Sequence, residues 1–235
     1  MVISRKYEVV GQLGRGGMGV VYKVRHSALD TILALKVLPA YLMDNQEMIA
    51  RFYREARVMA RLRHHNIVRV LDIDQDDTLN FHYFVMEYLQ GKTLGEYLRE
   101  RRSLPLPEVL DIACQVASAL EYAHSHNPSV IHRDIKPSNI MIEDLSGRSV
   151  VMDFGIAKEL GESEMTKSGV MIGTVKYCSP EQMRHEPLDG SADVYSLGMV
   201  MYEAYTGTQF FAGLGEHTVI SRVLDDTQEN EPHFA

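Results

Sequence analysis

Cysteine is scarce in this chain of 235 residues: Cys114 and Cys178 are the only two, far apart and in no metal-ligand spacing. That argues against a disulfide framework or a cysteine-built zinc site, and reads as two reduced thiols in a reducing compartment. A basic excess is missing as well. The formal charge is -8 and the pI about 5.7, the opposite of the lysine and arginine surplus that nucleic-acid binders carry, so no nucleic-acid partner is expected. The opening MVISRKYEVV has no apolar core of a signal peptide. No uninterrupted apolar run is long enough for a membrane segment. The expected location is cytoplasmic, or the cytoplasmic part of a longer protein. Internal repeats and low-complexity tracts are absent too.

What is present suits a soluble globular protein: 45% hydrophobic and 24% charged residues, enough for one sizeable core or two small lobes around a cleft. The first third alternates as strands do, over residues 7–13, 20–26 and 31–38. A helix follows to about Arg63, with Asp44 as N-cap and Glu47 three residues on, the spacing of a capping box. Strands are expected near 67–73 and 83–88. After Gly91 the chain turns helical. Thr93 and Glu96 form a second capping box, and residues 107–126 read as a long helix with Leu110, Ala113, Ala117 and Leu120 on one face. Short strands over 140–142 and 150–152 flank a turn at Ser146-Gly147, and a polar loop spans 158–173. Helices over 191–206, stopped by Gly207, and about 216–226 complete the reading.

Four pieces carry chemistry. The first is Gly14-Arg15-Gly16-Gly17-Met18-Gly19. Glycines let a backbone approach phosphates closely, but the same spacing opens dinucleotide-binding folds. In those folds it must begin a helix, whereas here Val20-Val21-Tyr22-Lys23-Val24 follows, a β-branched run. The loop therefore joins two strands, and a NAD-dependent oxidoreductase is disfavoured. The second piece is Lys36, inside the apolar Leu33-Ala34-Leu35-Lys36-Val37-Leu38. A lysine there snorkels from an edge or meets an anion. Glu55 shares a helical face with Phe52, Met59 and Leu62 and is a charge in need of a cation, which makes it the natural partner. The third is His132-Arg133-Asp134-Ile135-Lys136-Pro137-Ser138-Asn139: an acid that can take a hydroxyl proton, a cation for a transferring phosphoryl group, and an amide oxygen for magnesium. The fourth is Asp153-Phe154-Gly155, a second oxygen ligand for the metal. Any one of these alone could be a polar surface loop; all four in this order are not.

In that order they resemble the eukaryotic-type Ser/Thr protein kinase catalytic domain over about residues 7–226. Lys136, two residues after Asp134, is similar to the Ser/Thr branch, and so is Thr174 in Gly173-Thr174-Val175. Gly16-Gly17-Met18-Gly19 and Ser179-Pro180-Glu181-Gln182 look like the bacterial members. The resemblance implies roles residue by residue. Gly14, Gly16 and Gly19 cover the phosphates of ATP. Val21 and Ala34 roof the adenine, and Met141 floors it. Met86 is the gatekeeper, and Glu87 and Leu89 form the hinge. Asp134, Lys136, Lys36, Glu55 and Thr174 are catalytic, while Asn139 and Asp153 bind magnesium, with manganese as an alternative. Asp193 braces the catalytic loop, and His132 and Phe154, with Met59 and Val70, stack in a column linking the lobes. Two departures stand out: the run from Asn139 to Asp153 is about one residue longer than usual, and Ser179-Pro180-Glu181 replaces the usual Ala-Pro-Glu.

The fold implied is α+β and two-lobed, with residues 1–86 an N-lobe, 87–91 a hinge and 92–235 an incomplete C-lobe. The function implied is transfer of the ATP γ-phosphoryl group to Ser/Thr hydroxyls of protein substrates, including the chain's own loop at Thr166 and Ser168, with a homodimer as the arrangement for autophosphorylation. The alternative is a truncated, catalytically impaired kinase or pseudokinase that binds nucleotide or protein. The family continues with further helices and an arginine that pairs with the glutamate matching Glu181. No arginine follows Arg222, so Glu181 is expected to lack that partner, the helix bearing Val194, Leu197 and Val200 to lose cover, and the chain to behave as a fragment.

Overall fold

The computed structural model describes residues 1–16, 19–38, 42–43, 45–76, 78–79, 81–154 and 175–225. Gly17, Met18, Asp44, Gly155, Thr166, Ser168 and Thr174 lie outside the described residues, as does the stretch after 225. The chain divides into two compact units, Met1–Gln90 and Gly91–Ala235.

The first unit is an antiparallel sheet with one helix. Its strands are β1 (Val2–Ile3), β2 (Tyr7–Gly16), β3 (Gly19–His26), β4 (Thr31–Val37), β5 (Val70–Asp76) and β6 (Phe81–Glu87), in the order β1-β2-β3-β4-β6-β5. Side chains alternate between faces of a strand. Leu33 and Leu35 of β4 therefore join Ile3, Tyr7, Val24, Tyr83 and Val85 in one apolar cluster. Ala34 and Lys36 point the other way, opposite Met86 and Phe84 of β6. Helix α1 (Gln46–Arg61) packs there through Phe52, whose ring centroid lies 5.1 Å from that of Phe84. The face expected for α1 is the buried one: Phe52, Glu55, Met59 and Leu62 are each at most 4% exposed. Its cap is not the expected one. Asn45 accepts from the amides of Glu47 and Met48, so the capping oxygen stands one residue later than Asp44. Strand β5 also starts at Val70, with Ile67 and Val68 buried ahead of it in irregular backbone.

In the second unit, β7 (Gly91–Thr93), β8 (Ile140–Glu143) and β9 (Ser149–Val151) form a small antiparallel sheet. A Cβ on Gly91 would sit 2.0 Å from the Ile142 carbonyl oxygen, so only glycine lets β7 lie this close to β8. Helix α2 (Leu94–Arg101) opens on the expected capping box: Glu96 donates its amide to Thr93 Oγ1, and its carboxylate accepts from the Thr93 amide. Helix α3 (Leu106–His124) buries a different stripe from the expected one. Val109, Ile112, Val116, Ala119, Leu120 and Ala123 face inward, while Leu110 is 54% exposed and Ala117 is exposed. After the short α4 (Pro180–Met183), α5 (Ser191–Thr206) runs to Gly207, whose φ of 72° closes it in the left-handed conformation. Its Leu197 and Val200 are buried and Val194 is exposed. Helix α6 (Glu216–Leu224) puts Val219 and Val223 into a cluster with Val175 and Phe211.

Candidate active site

Each unit carries one constellation. In the first unit Lys36 is buried, and its Nζ lies 3.1 Å from Glu55 Oε1 and 5.5 Å above the Phe84 ring. The pairing inferred from an apolar strand and a charged residue in an apolar stripe is thus made. Around it, β2 and β3 form a hairpin whose last pairs are Gly14 with Val21 and Gly16 with Gly19. Val21 stands opposite Lys36 on β4, and Ala34 opposite Met86 on β6. Gly14 and Gly16 therefore end one strand and Gly19 begins the next, as the β-branched sequel requires. At the end of β6 the Glu87 amide donates to the Arg69 carbonyl at 3.0 Å, and its carboxylate accepts from the Arg69 amide at 2.9 Å. Leu89 follows, buried.

In the second unit the hub is Asp193, fully buried near the start of α5. Its carboxylate accepts from the amides of His132 (2.7 Å) and Arg133 (2.8 Å) and lies 2.7 Å from His124 Nε2. One charged group thus satisfies two consecutive amides of a stretch that has no ladder of its own. His132 is fully buried. Burial pushes its imidazole below the ordinary value, against the opposing pull of Asp193. Its Nδ1 accepts from the Asp134 amide at 3.2 Å, so Nε2 carries the proton and donates to the Met152 carbonyl at 2.9 Å. Its ring lies 4.5 Å from that of Phe154.

The loop these bonds hold presents Asp134, Lys136 and Asn139 together. Lys136 Nζ is 2.9 Å from Asp134 Oδ2. Asn139, on the 3-10 turn Pro137–Asn139, donates from Nδ2 to the Asp134 carbonyl (2.8 Å) and to its Oδ2 (3.1 Å). Two acceptors beside the nitrogen fix the amide's orientation and leave Oδ1 on the other side. Arg133 and Asp153 both sit at positive φ, 65° and 50°. Such backbone costs on the order of 1–3 kcal/mol for a side-chain-bearing residue and persists only where its surroundings impose it. Met141 of β8 pairs with Val150 and Thr93.

Two supports were not singled out from the sequence. His124 ends α3 and reaches Asp193 only because Gly190 leaves room: a Cβ there would meet His124 Nδ1 at 2.5 Å. Gln182, capped by Ser179, donates from Nε2 to the Arg133 carbonyl at 3.0 Å. No local pattern marks a histidine at a helix end as a carboxylate's partner; for Gln182 the capping-box spacing from Ser179 was a usable signal. Among the described residues no hydrogen bond or ion pair engages the Glu181 carboxylate.

Residues 7–233 match the model of the protein kinase domain. A probable serine/threonine-protein kinase of Clostridium perfringens is 40% identical over 96% of this chain and 32% of its own length. The serine/threonine-protein kinase PrkC of Bacillus subtilis is 38% identical over 98% of this chain and 34% of its own. The crystal structure of the Mycobacterium tuberculosis PknI kinase domain superposes with a TM-score of 0.69 at 32% identity, covering 88% of this chain and 76% of that one. The chain thus spans about a third of the length of the curated relatives it matches. With its family match spanning nearly the whole sequence and with Lys36–Glu55 and the Asp134–Lys136–Asn139 loop formed, this chain belongs to the protein kinase domain family.

Proposed function

We propose that the protein transfers the γ-phosphoryl group of ATP to serine or threonine hydroxyls of protein substrates. The observation that carries this reading is the Asp134–Lys136–Asn139 cluster, an acid with a lysine at 2.9 Å and an oriented amide. In the reaction the substrate hydroxyl oxygen bonds to the γ-phosphorus as the bond to the β,γ-bridging oxygen breaks. ADP leaves, and Asp134 takes the hydroxyl proton. Lys136 offsets negative charge on the transferring group, and Lys36, steered by Glu55, holds the phosphates. Most of the acceleration then comes from positioning and charge neutralisation. Gly14, Gly16 and Gly19 cover the phosphates; Val21, Ala34, Met86, Glu87, Leu89 and Met141 hold the adenine. The residues fit a divalent ion: no hydrogen bond to Asn139 Oδ1 occurs among the described residues, and Asp153 of the following motif adds a carboxylate, so the pair supplies the oxygen donors such an ion takes. Magnesium, or manganese, would be held by Asn139 and Asp153 and would supply charge neutralisation at the phosphates.

Thr166 and Ser168 are the proposed regulatory sites, phosphorylated by a second copy in a transient homodimer. A phosphate there adds charge that Arg133, beside Asp134, can pair with; Thr174 is proposed to bond Asp134 and Lys136. The cytoplasm is the proposed location, and among the described residues no helix is long and apolar enough to cross a membrane.

The test is incubation with labelled ATP and a generic protein substrate, followed by phosphosite mapping. Label is expected on serine and threonine, with the chain's own sites inside 156–178, and is expected to vanish in Asp134→Asn. Asp153→Asn should lose the magnesium enhancement of nucleotide affinity. Nucleotide binding with no transfer would favour the pseudokinase reading instead.

A further inference from the structure

The outward face of α1 is built unlike the rest of the surface. Between Gln46 and Arg69 the sequence has six arginines and two glutamates, in a chain whose net charge is -8. Arg54, Arg57 and Arg61 are exposed and, with Ala50, Tyr53 and Val58, line a groove of about 450 Å³. On a solvated helix face, charges find opposite charges three or four residues away. Arg51 of this same helix does so, pairing with Glu47. The three groove arginines do not. Their neighbours at those spacings are Ala50, Arg51, Tyr53, Val58, Ala60, His64, His65 and one another, and among the described residues none of the three makes an ion pair or side-chain hydrogen bond. Arg57 lies 5.8 Å above the Tyr53 ring, whose hydroxyl is engaged by His82 at 2.8 Å. Three like charges in adjacent turns weaken the helix that carries them, and only the Tyr53 ring under Arg57 and the place of Arg61 in the last turn offset this among the described residues.

We propose that this groove docks an acidic protein segment, with an apolar or aromatic side chain over Ala50, Tyr53 and Val58 and carboxylates or phosphates on Arg54, Arg57 and Arg61. The apolar strip of Ala50, Tyr53 and Val58 set among Arg54, Arg57 and Arg61 on one helix face matches a segment that carries acidic groups around an apolar side chain. Glu55 follows Arg54 and lies on the buried side of the same helix, paired with Lys36. A segment seated in the groove therefore bears on the helix that sets that pair. This coupling rests on the kinase reading; the docking does not.

Binding is read by fluorescence anisotropy, which needs no catalysis, using a labelled peptide of repeated Glu-Glu-Glu-Phe and a control with glutamine for glutamate. The chain should bind the acidic peptide at low salt and lose affinity as salt rises. Arg54→Gln/Arg57→Gln/Arg61→Gln, which keeps good helix formers, should weaken binding at least tenfold with an unchanged circular dichroism spectrum. Arg63→Gln/Arg69→Gln, outside the groove, should weaken it less than threefold. The proposal is overturned if the acidic peptide does not bind, if the glutamine control binds as well, or if both variants weaken binding alike. It is likewise overturned if only vesicles of phosphatidylserine and phosphatidylcholine are bound through the three arginines.

Discussion

Replacing Lys36 by methionine separates what the Lys36–Glu55 pair does for the fold from what it does for chemistry. Both side chains are almost completely buried, 5% and 3% exposed, and 3.1 Å apart. At an effective dielectric of about 20 their gross attraction is about 5 kcal/mol, most of it spent against the desolvation of two charges. Breaking a buried ion pair by removing one partner costs about 3–5 kcal/mol, while an apolar pair of similar volume is near neutral or stabilising. Lys36→Met is therefore expected to destabilise the first unit by roughly 3–5 kcal/mol, and Lys36→Met/Glu55→Leu to recover most of that loss. Neither variant should transfer phosphate, because Lys36 is assigned to the phosphates in both. The chain has no tryptophan, so hydrogen exchange at the amides of α1 and β4, with far-ultraviolet circular dichroism in urea, is the suitable measurement. Equal stability of the single and double variants would refute the argument, since the loss would then not come from the buried glutamate deprived of its lysine. Transfer at the wild-type rate by either would refute the assignment of Lys36.

Other perturbations follow from the same geometry. Asp193→Ala frees the buried amide of His132 and the half-buried amide of Arg133 at once; an orphaned buried group costs about 1–3 kcal/mol, so urea titration should show a loss of a few kcal/mol, with activity falling further than nucleotide affinity. Gly91→Ala puts a methyl group 2.0 Å from the Ile142 oxygen and should lower the thermal midpoint markedly, whereas Gly14→Ala, with open space around its Cβ position, should leave it nearly unchanged. His132 is held neutral by burial, and its pKa is lower folded than unfolded. Its contribution is therefore complete above the ordinary histidine value of about 6.5 and is lost as pH falls through it. The stability of wild type should drop between pH 7.5 and 5.5 more steeply than that of His132→Phe in paired urea titrations, and equal slopes would contradict the burial argument.

Local patterns made much of this legible. Strand alternation placed Leu33 and Leu35 on one face and Lys36 on the other, and helical spacing put Glu55 on the buried stripe, so the ion pair could be anticipated. Helix α3 shows where that logic stops. Leu110, Ala113 and Ala117 repeat at helical spacing as well as Val109, Ile112 and Val116 do, and the choice between two apolar stripes is made by the elements that pack on the helix, which the local sequence does not encode. At the start of α1, Asp44 and Asn45 are both good caps, and a single residue of register separates them. The partners of Asp193 arise from chain distant in sequence: His124, His132 and Arg133 converge only once α3 and α5 are assembled.

The Asp193 carboxylate also bears on timing. The amides of His132 and Arg133 belong to no helix or strand, yet both donate into a side chain with no solvent exposure. Deuterium can reach them only when the start of α5 gives way, so they should exchange on the slow timescale of that helix and not on the fast one typical of loops. The segment of least regular shape is then among the last to open. Heat or denaturant would take the loop's geometry and the α5 start together, and loss of activity on warming would report the melting of a helix that carries no catalytic group.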